Sequence, residues 1–132
     1  MYAYNMQLAG ISPDLQVPAY RQIADALRAL LVEGAIEPGK RLPPVRELAL
    51  DLKVHFNTVA QAYRVLSLEG WLALKRGRGA VVLPRKPPAP DPAHTEVFAR
   101  RLGELVAQWR AAGVPPAAIA RELRTALDGF RN

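Results

Sequence analysis

Five prolines fall within the nine residues PRKPPAPDP, from Pro84 to Pro92. Proline lacks a backbone N–H and fixes φ, so neither a helix interior nor a central strand can cross such a stretch. The segment reads as a stiff, extended linker spanning residues 84–93. It divides the 132-residue chain into a larger N-terminal part and an appendage of about forty residues. Each part must therefore find its own way to bury apolar surface.

The N-terminal part shows a clear succession of periods. Residues 1–16 have none and are expected to form an arm. From Pro18 to Glu33, Tyr20, Ile23, Ala24, Leu27, Leu30 and Leu31 recur at helical spacing, with Gly34 where a C-terminal cap belongs. After a turn at Pro38-Gly39, Arg41 and Leu42 suit one short strand. Pro43-Pro44 opens a second helix running to about Leu52, with Val45, Leu48, Ala49 and Leu52 on its buried face. Lys53 to Phe56 is a turn. Asn57 to Glu69 is a third helix, with Asn57 or His55 as its N-cap and Gly70 at its end. Two helices joined by about four residues have helix-turn-helix spacing. Trp71–Lys75 and Ala80–Leu83 then read as strands around the tip Arg76-Gly77-Arg78-Gly79. A Gly-x-Gly cradle for a nucleotide is a weak alternative, because no βαβ unit surrounds it.

The third helix carries the chemistry. Val59, Ala62, Tyr63 and Leu66 give it a buried face, and Asn57, Thr58, Gln61 and Arg64 fall largely on the other side. Amides and hydroxyls can read base edges, and arginine can hold phosphate or guanine. Arg46 lies outside the buried face of the second helix, near its N-terminus, where it can reach a phosphate or pair with Glu47 or Asp51. His55 suits a helix cap or a phosphate contact. The net charge of +6 is concentrated, too: residues 71–86 hold Lys75, Arg76, Arg78, Arg85 and Lys86 and no acid. Residues 87–132 hold six arginines against five carboxylates. The basic excess points to a polyanionic partner for the N-terminal part.

Beyond the linker, His94–Ala112 aligns Phe98, Leu102, Leu105, Val106 and Trp109 on one helical face. After the turn Gly113-Val114-Pro115, Pro116–Phe130 aligns Ile119, Leu123, Ala126, Leu127 and Phe130. A two-helix unit of this size cannot bury both stripes alone. It must dock on the first domain or on a second copy. The second copy is expected, because the prolines hold the hairpin away from its own domain.

Several classes are excluded by what is missing. There is no cysteine, so there are no disulfides and no thiol chemistry. The two histidines, His55 and His94, sit in different parts, and no paired carboxylates, nucleophile motif or metal-ligand spacing appears. An enzyme, a bound metal or a cofactor is not expected. Nor does any run approach the roughly eighteen apolar residues of a membrane span, and the N-terminus lacks the basic start of a signal peptide. A soluble cytoplasmic protein is expected.

Residues 17–83 resemble the DNA-binding domain of GntR-type bacterial transcription regulators, through the first helix, EPGKRLPPVRELA, NTVAQAYRVLSLEGW and the RGRG wing. The short region 94–132 resembles the YtrA-like branch, which has a small dimerising appendage. The resemblance implies that Arg46 contacts DNA from the second helix, that Asn57, Thr58 and Gln61 face the groove, and that Arg76 and Gly77 sit at the wing. The chain departs from the pattern at Pro44, where a serine cap is frequent, and at Phe56 and Ala60, which are often polar or basic. The expected fold is mainly α with a small β-hairpin, a winged helix-turn-helix followed by a dimerising helical hairpin. The expected function is a homodimeric repressor on a palindromic double-stranded DNA operator. A winged helix for protein contact or non-specific DNA binding is the alternative. Since one hairpin is too small to enclose a drug-sized cavity, any effector is expected at the dimer interface or between domains, or regulation is expected to run through protein level or a partner protein.

Overall fold

The computed structural model describes residues 16–76, 79–85 and 89–128. The arm therefore lies outside the described residues except for Gln16, as do Gly77, Arg78 and Phe130. The chain divides into two compact units, residues 1–85 and 86–132.

The first unit runs α1 (Ala19–Glu33), β1 (Arg41–Leu42), α2 (Val45–Leu52), α3 (Phe56–Leu68), β2 (Leu72–Lys75) and β3 (Gly79–Val82). The three strands form an antiparallel sheet in the order β1-β3-β2. The two-residue strand β1 pairs Arg41 with Val81 and Leu42 with Ala80, closing the sheet edge beside the hairpin. Apolar faces meet where the periodicity places them. Ile23 and Leu27 of α1, Leu48 of α2, Val59, Tyr63 and Leu66 of α3, and Leu72 of β2 are all buried in one core. Tyr20 of the α1 stripe is only half-buried, and Val45 and Leu52 pack at the margin.

The helix ends explain the small differences from the sequence expectation. α1, α2, α3 and α4 each end in the same way, with an N–H bonding a carbonyl five residues back. The bonds are Ala35 to Leu30, Val54 to Ala49, Trp71 to Leu66 and Val114 to Trp109. Glycine supplies the left-handed residue in three of them. In α2 it is Lys53, at φ 58°. A β-carbon in that region costs about 1–2 kcal/mol. The bond from the Val54 N–H to the Ala49 carbonyl and the packing of Val54 on the core hold Lys53 there, and this fixes the turn between α2 and α3. α3 begins one residue before Asn57, because His55 is the cap: its Nδ1 accepts from the Asn57 N–H at 3.1 Å.

α2 starts without a side-chain cap, since Pro44 stands in that place. Beside it, the phenol of Tyr63 donates to the Pro43 carbonyl at 2.7 Å within the core. Gly79 meets the same segment from the wing. At φ +76° it is left-handed, and a β-carbon on it would lie 3.1 Å from the Leu42 carbonyl oxygen. Larger residues would push the wing off the start of α2.

At the far end of α3, Glu69 receives Arg28 of α1 in a two-pronged pair, with Nε to Oε1 at 2.8 Å and Nη2 to Oε2 at 2.7 Å. Arg28 also reaches Asp25 at 2.8 Å. The Glu69 carbonyl accepts from Arg85 Nε at 3.2 Å, and the Arg85 guanidinium lies 4.4 Å from the Trp71 ring centre. Arg85 thus belongs to the base of the wing as well as to the basic run. The hydrogen bonds from Arg28 hold the Glu69 carboxyl below the usual glutamate range.

The second unit is α4 (Pro92–Ala111) and α5 (Pro116–Asp128). α4 starts two residues earlier than His94, because Pro92 occupies the first turn and the Asp91 carboxylate caps the Ala93 N–H at 3.0 Å. Neither helix has a buried residue among those described.

Two stability predictions follow from these contacts. Tyr63→Phe should destabilise the first unit by about 1–3 kcal/mol in urea unfolding, because the buried Pro43 carbonyl loses its donor. No loss would mean that water replaces the phenol. Glu69→Gln should cost up to about 1 kcal/mol at pH 7, the range of a well-formed surface pair. A lowered carboxyl pKa stabilises the fold above the unfolded value and loses that effect as pH falls through the folded one. The gap between wild type and Glu69→Gln should therefore hold down to about pH 4.3 and close below it.

Candidate nucleic-acid interface

α3 presents two sides. Val59, Ala62, Tyr63 and Leu66 face the core, and Asn57, Gln61 and Arg64 are exposed at spacings of four and three residues, which aligns them along one stripe. Thr58 is half-buried, with its N–H on the His55 carbonyl at 3.0 Å, so it sits at the edge of the stripe.

A groove runs beside this stripe. Arg46 of α2, Ala60, Tyr63 and Arg64 of α3, and Leu74, Lys75 and Gly79 of the hairpin line it. Three elements far apart in sequence thus bring Arg46, Arg64 and Lys75 to one opening. Arg76 follows Lys75 and is exposed. The expected wing residues Gly77 and Arg78 lie outside the described residues. His55 is exposed and uses Nδ1 for the cap, which leaves Nε2 as the ring's donor.

The Arg46 side chain lies against an aromatic ring. Its guanidinium carbon lies 4.5 Å from the centre of the Phe56 ring, and His55 stacks on that ring at 4.5 Å with 28° between the planes. A cation in the first turn of a helix opposes the macrodipole. The place of Arg46 is therefore not explained by the stability of α2. The aromatic face offsets part of that penalty and restricts the side chain. Sequence periodicity could not reveal this stack, since Arg46 and Phe56 belong to different helices.

The second unit has a different surface. Leu102, Leu105, Val106, Trp109, Ile119 and Leu123 line an open apolar cleft of about 470 Å³ between α4 and α5. Leu102 and Val106 are half-buried. Phe98 stays 64% exposed, Leu105 49%, Trp109 47%, Leu123 42% and Leu127 59%, so the two helices do not cover their apolar stripes by themselves. One hairpin thus does form a concavity of ligand size, but an open one. Phe130 lies outside the described residues.

Among the described residues there is no cluster of His, Asp or Glu that could hold a metal ion. No described helix is long and apolar enough to cross a membrane.

Residues 19–82 match the family described as bacterial regulatory proteins, gntR family. The HTH-type transcriptional repressor YtrA of Bacillus subtilis is 40% identical over 72 residues, which are 54% of this chain and 55% of YtrA. The chain thus spans about half the length of that relative. The HTH-type transcriptional regulator YhcF of the same organism is 30% identical over 112 residues, covering 85% of this chain and 92% of YhcF. Among solved structures, YtrA from Sulfolobus acidocaldarius, a GntR-family transcription factor, is 31% identical with a TM-score of 0.56, over 81% of this chain and 99% of that one. The helix-turn-helix and the strands of the wing fall within residues 19–82, and the chain belongs to the GntR family of bacterial transcription regulators.

Proposed function

We propose that this chain is a sequence-specific repressor that acts as a homodimer on a palindromic operator. The observation that carries the reading is the exposed stripe of Asn57, Gln61 and Arg64 on α3, flanked by Arg46 and Lys75 at one groove. The stripe holds amides and a guanidinium and no carboxylate, which suits base edges in a major groove. Arg46, Lys75, Arg76 and the His55 Nε2 donor surround it as phosphate contacts. Residues 17–83 form the DNA-binding part, 84–93 the connection and 94–132 the assembly part. The repressor name of the Bacillus subtilis relative supports the regulatory sense.

Binding selection from random duplex DNA tests the reading. Gln61→Ala should cost roughly 1–3 kcal/mol on the selected site and relax the base preference at one position per half-site. Arg76→Ala should weaken all sequences alike and reduce the salt slope by about one unit. Equal losses on selected and random DNA for Gln61→Ala would remove it from base reading.

Dimerisation rests on the uncovered faces of α4 and α5. Phe98, Leu102, Leu105, Val106, Trp109, Leu123 and Leu127 cover one another across a two-fold axis, giving a four-helix arrangement. Leu105→Glu places a charge on that face. It should convert a sedimenting dimer to a monomer and reduce palindrome binding far more than half-site binding, with the first unit still folded. A wild-type monomer at micromolar concentration with full operator affinity would overturn the dimer.

A further inference from the structure

Phe56 is the first residue of α3, and its side chain is 37% exposed despite being a large apolar group. Its ring is held by Arg46 at 4.5 Å and by His55 at 4.5 Å. Ala60 stands four residues on, half-buried and bordering the groove. Residues four apart share one helix face. α3 therefore carries two adjacent strips: Asn57 with Gln61, which can hydrogen-bond, and Phe56 with Ala60, which cannot. The N-terminal residues of a recognition helix are the ones that reach base edges. In the major groove the base-edge feature that an apolar side chain complements is the 5-methyl group of thymine. Ala60, the other member of this strip, carries only a methyl side chain. The ring is also restrained before binding, so little side-chain freedom is lost on contact.

We infer that Phe56 is a specificity-determining residue that reads the 5-methyl group of one thymine in each half-site. The assignment rests on the regulator reading above, and it adds a base that the hydrogen-bonding strip does not specify. Arg46, lying over the same ring, is placed for the phosphate or guanine next to that thymine.

The test uses the full chain and the operator recovered by selection from random DNA. Each thymine is replaced singly by deoxyuridine, which keeps the base pair and removes only the methyl group. Wild-type affinity should fall about threefold to fivefold at one thymine per half-site, the weight of one buried methyl. Phe56→Ala should bind the thymine and deoxyuridine versions equally. Phe56→Gln, a second exposed-site variant suited to a helix, should also lose the difference, and thermal melting reports whether each variant is folded. A wild-type protein indifferent to deoxyuridine at every position overturns the assignment. So does a Phe56→Ala or Phe56→Gln protein that keeps the wild-type difference, since another side chain then touches the methyl. Those results leave the regulator reading standing. Selection that recovers no preferred sequence strikes the regulator reading itself, and this inference with it.

Discussion

The hydrogen bond from Tyr63 to the Pro43 carbonyl lies at the junction on which the first unit depends. Tyr63 is 1% exposed, so its hydroxyl must find an acceptor inside the core. The acceptor belongs to the residue between β1 and the N-cap of α2. One bond thus ties α3 to the end of the edge strand and to the start of the second helix. Gly79 closes on the same backbone from the wing, near enough that a single β-carbon would crowd the Leu42 carbonyl. Arg46, the polar stripe of α3 and Lys75 are mounted on the three elements that meet here. Their mutual geometry is set by the core rather than by contacts among themselves.

Much of this unit was legible from periodicity. Buried Ile23, Leu27, Leu48, Val59, Tyr63 and Leu66 follow the helical repeat, and the glycine-rich segment between Lys75 and Ala80 marks the hairpin. Even the two-residue strand β1 is visible, as an apolar Leu42 wedged between a turn and a proline pair. What escaped was side-chain chemistry between elements. Next to the missing cap at Pro44, the Pro43 carbonyl takes a hydroxyl from a residue twenty positions away. Arg28 and Glu69 are forty-one residues apart, and no repeat relates them. Arg46, open to a phosphate contact or to a pair with Glu47 or Asp51, lies against the Phe56 ring, which the turn at Lys53 brings near it. Such pairings depend on how helices cross, which a one-dimensional pattern does not encode.

The second unit was legible in its stripes and its turn, and its chemistry is simpler. Two helices can cover one line of contact between them. The remaining apolar surface of Phe98, Leu105, Trp109 and Leu127 is not covered by the hairpin itself. Exposed apolar surface in one continuous patch is unfavourable and marks an interaction site. In the proposed dimer this penalty becomes the driving force for association, and the near balance of charge beyond the linker keeps self-repulsion small.

The proposed assembly also divides the work of recognition. The groups proposed to discriminate bases, Asn57, Gln61 and Phe56, sit on a helix whose opposite face is locked into the core. The groups proposed to hold the backbone, Arg46, Lys75 and Arg76, are distributed on the start of α2 and along the wing, around that helix. Charge gives affinity without sequence preference, and it weakens as salt rises. Hydrogen bonds and methyl contacts require a fixed position, since each is lost over a fraction of an ångström. A single module of this size offers few of them. Joining two through α4 and α5 makes the second half-site an intramolecular encounter, and the gain comes from effective concentration rather than from any new contact with DNA. The apolar stripes and the sparse base-reading strip are therefore linked requirements: the first supplies the pairing that lets so small a reading surface select one site.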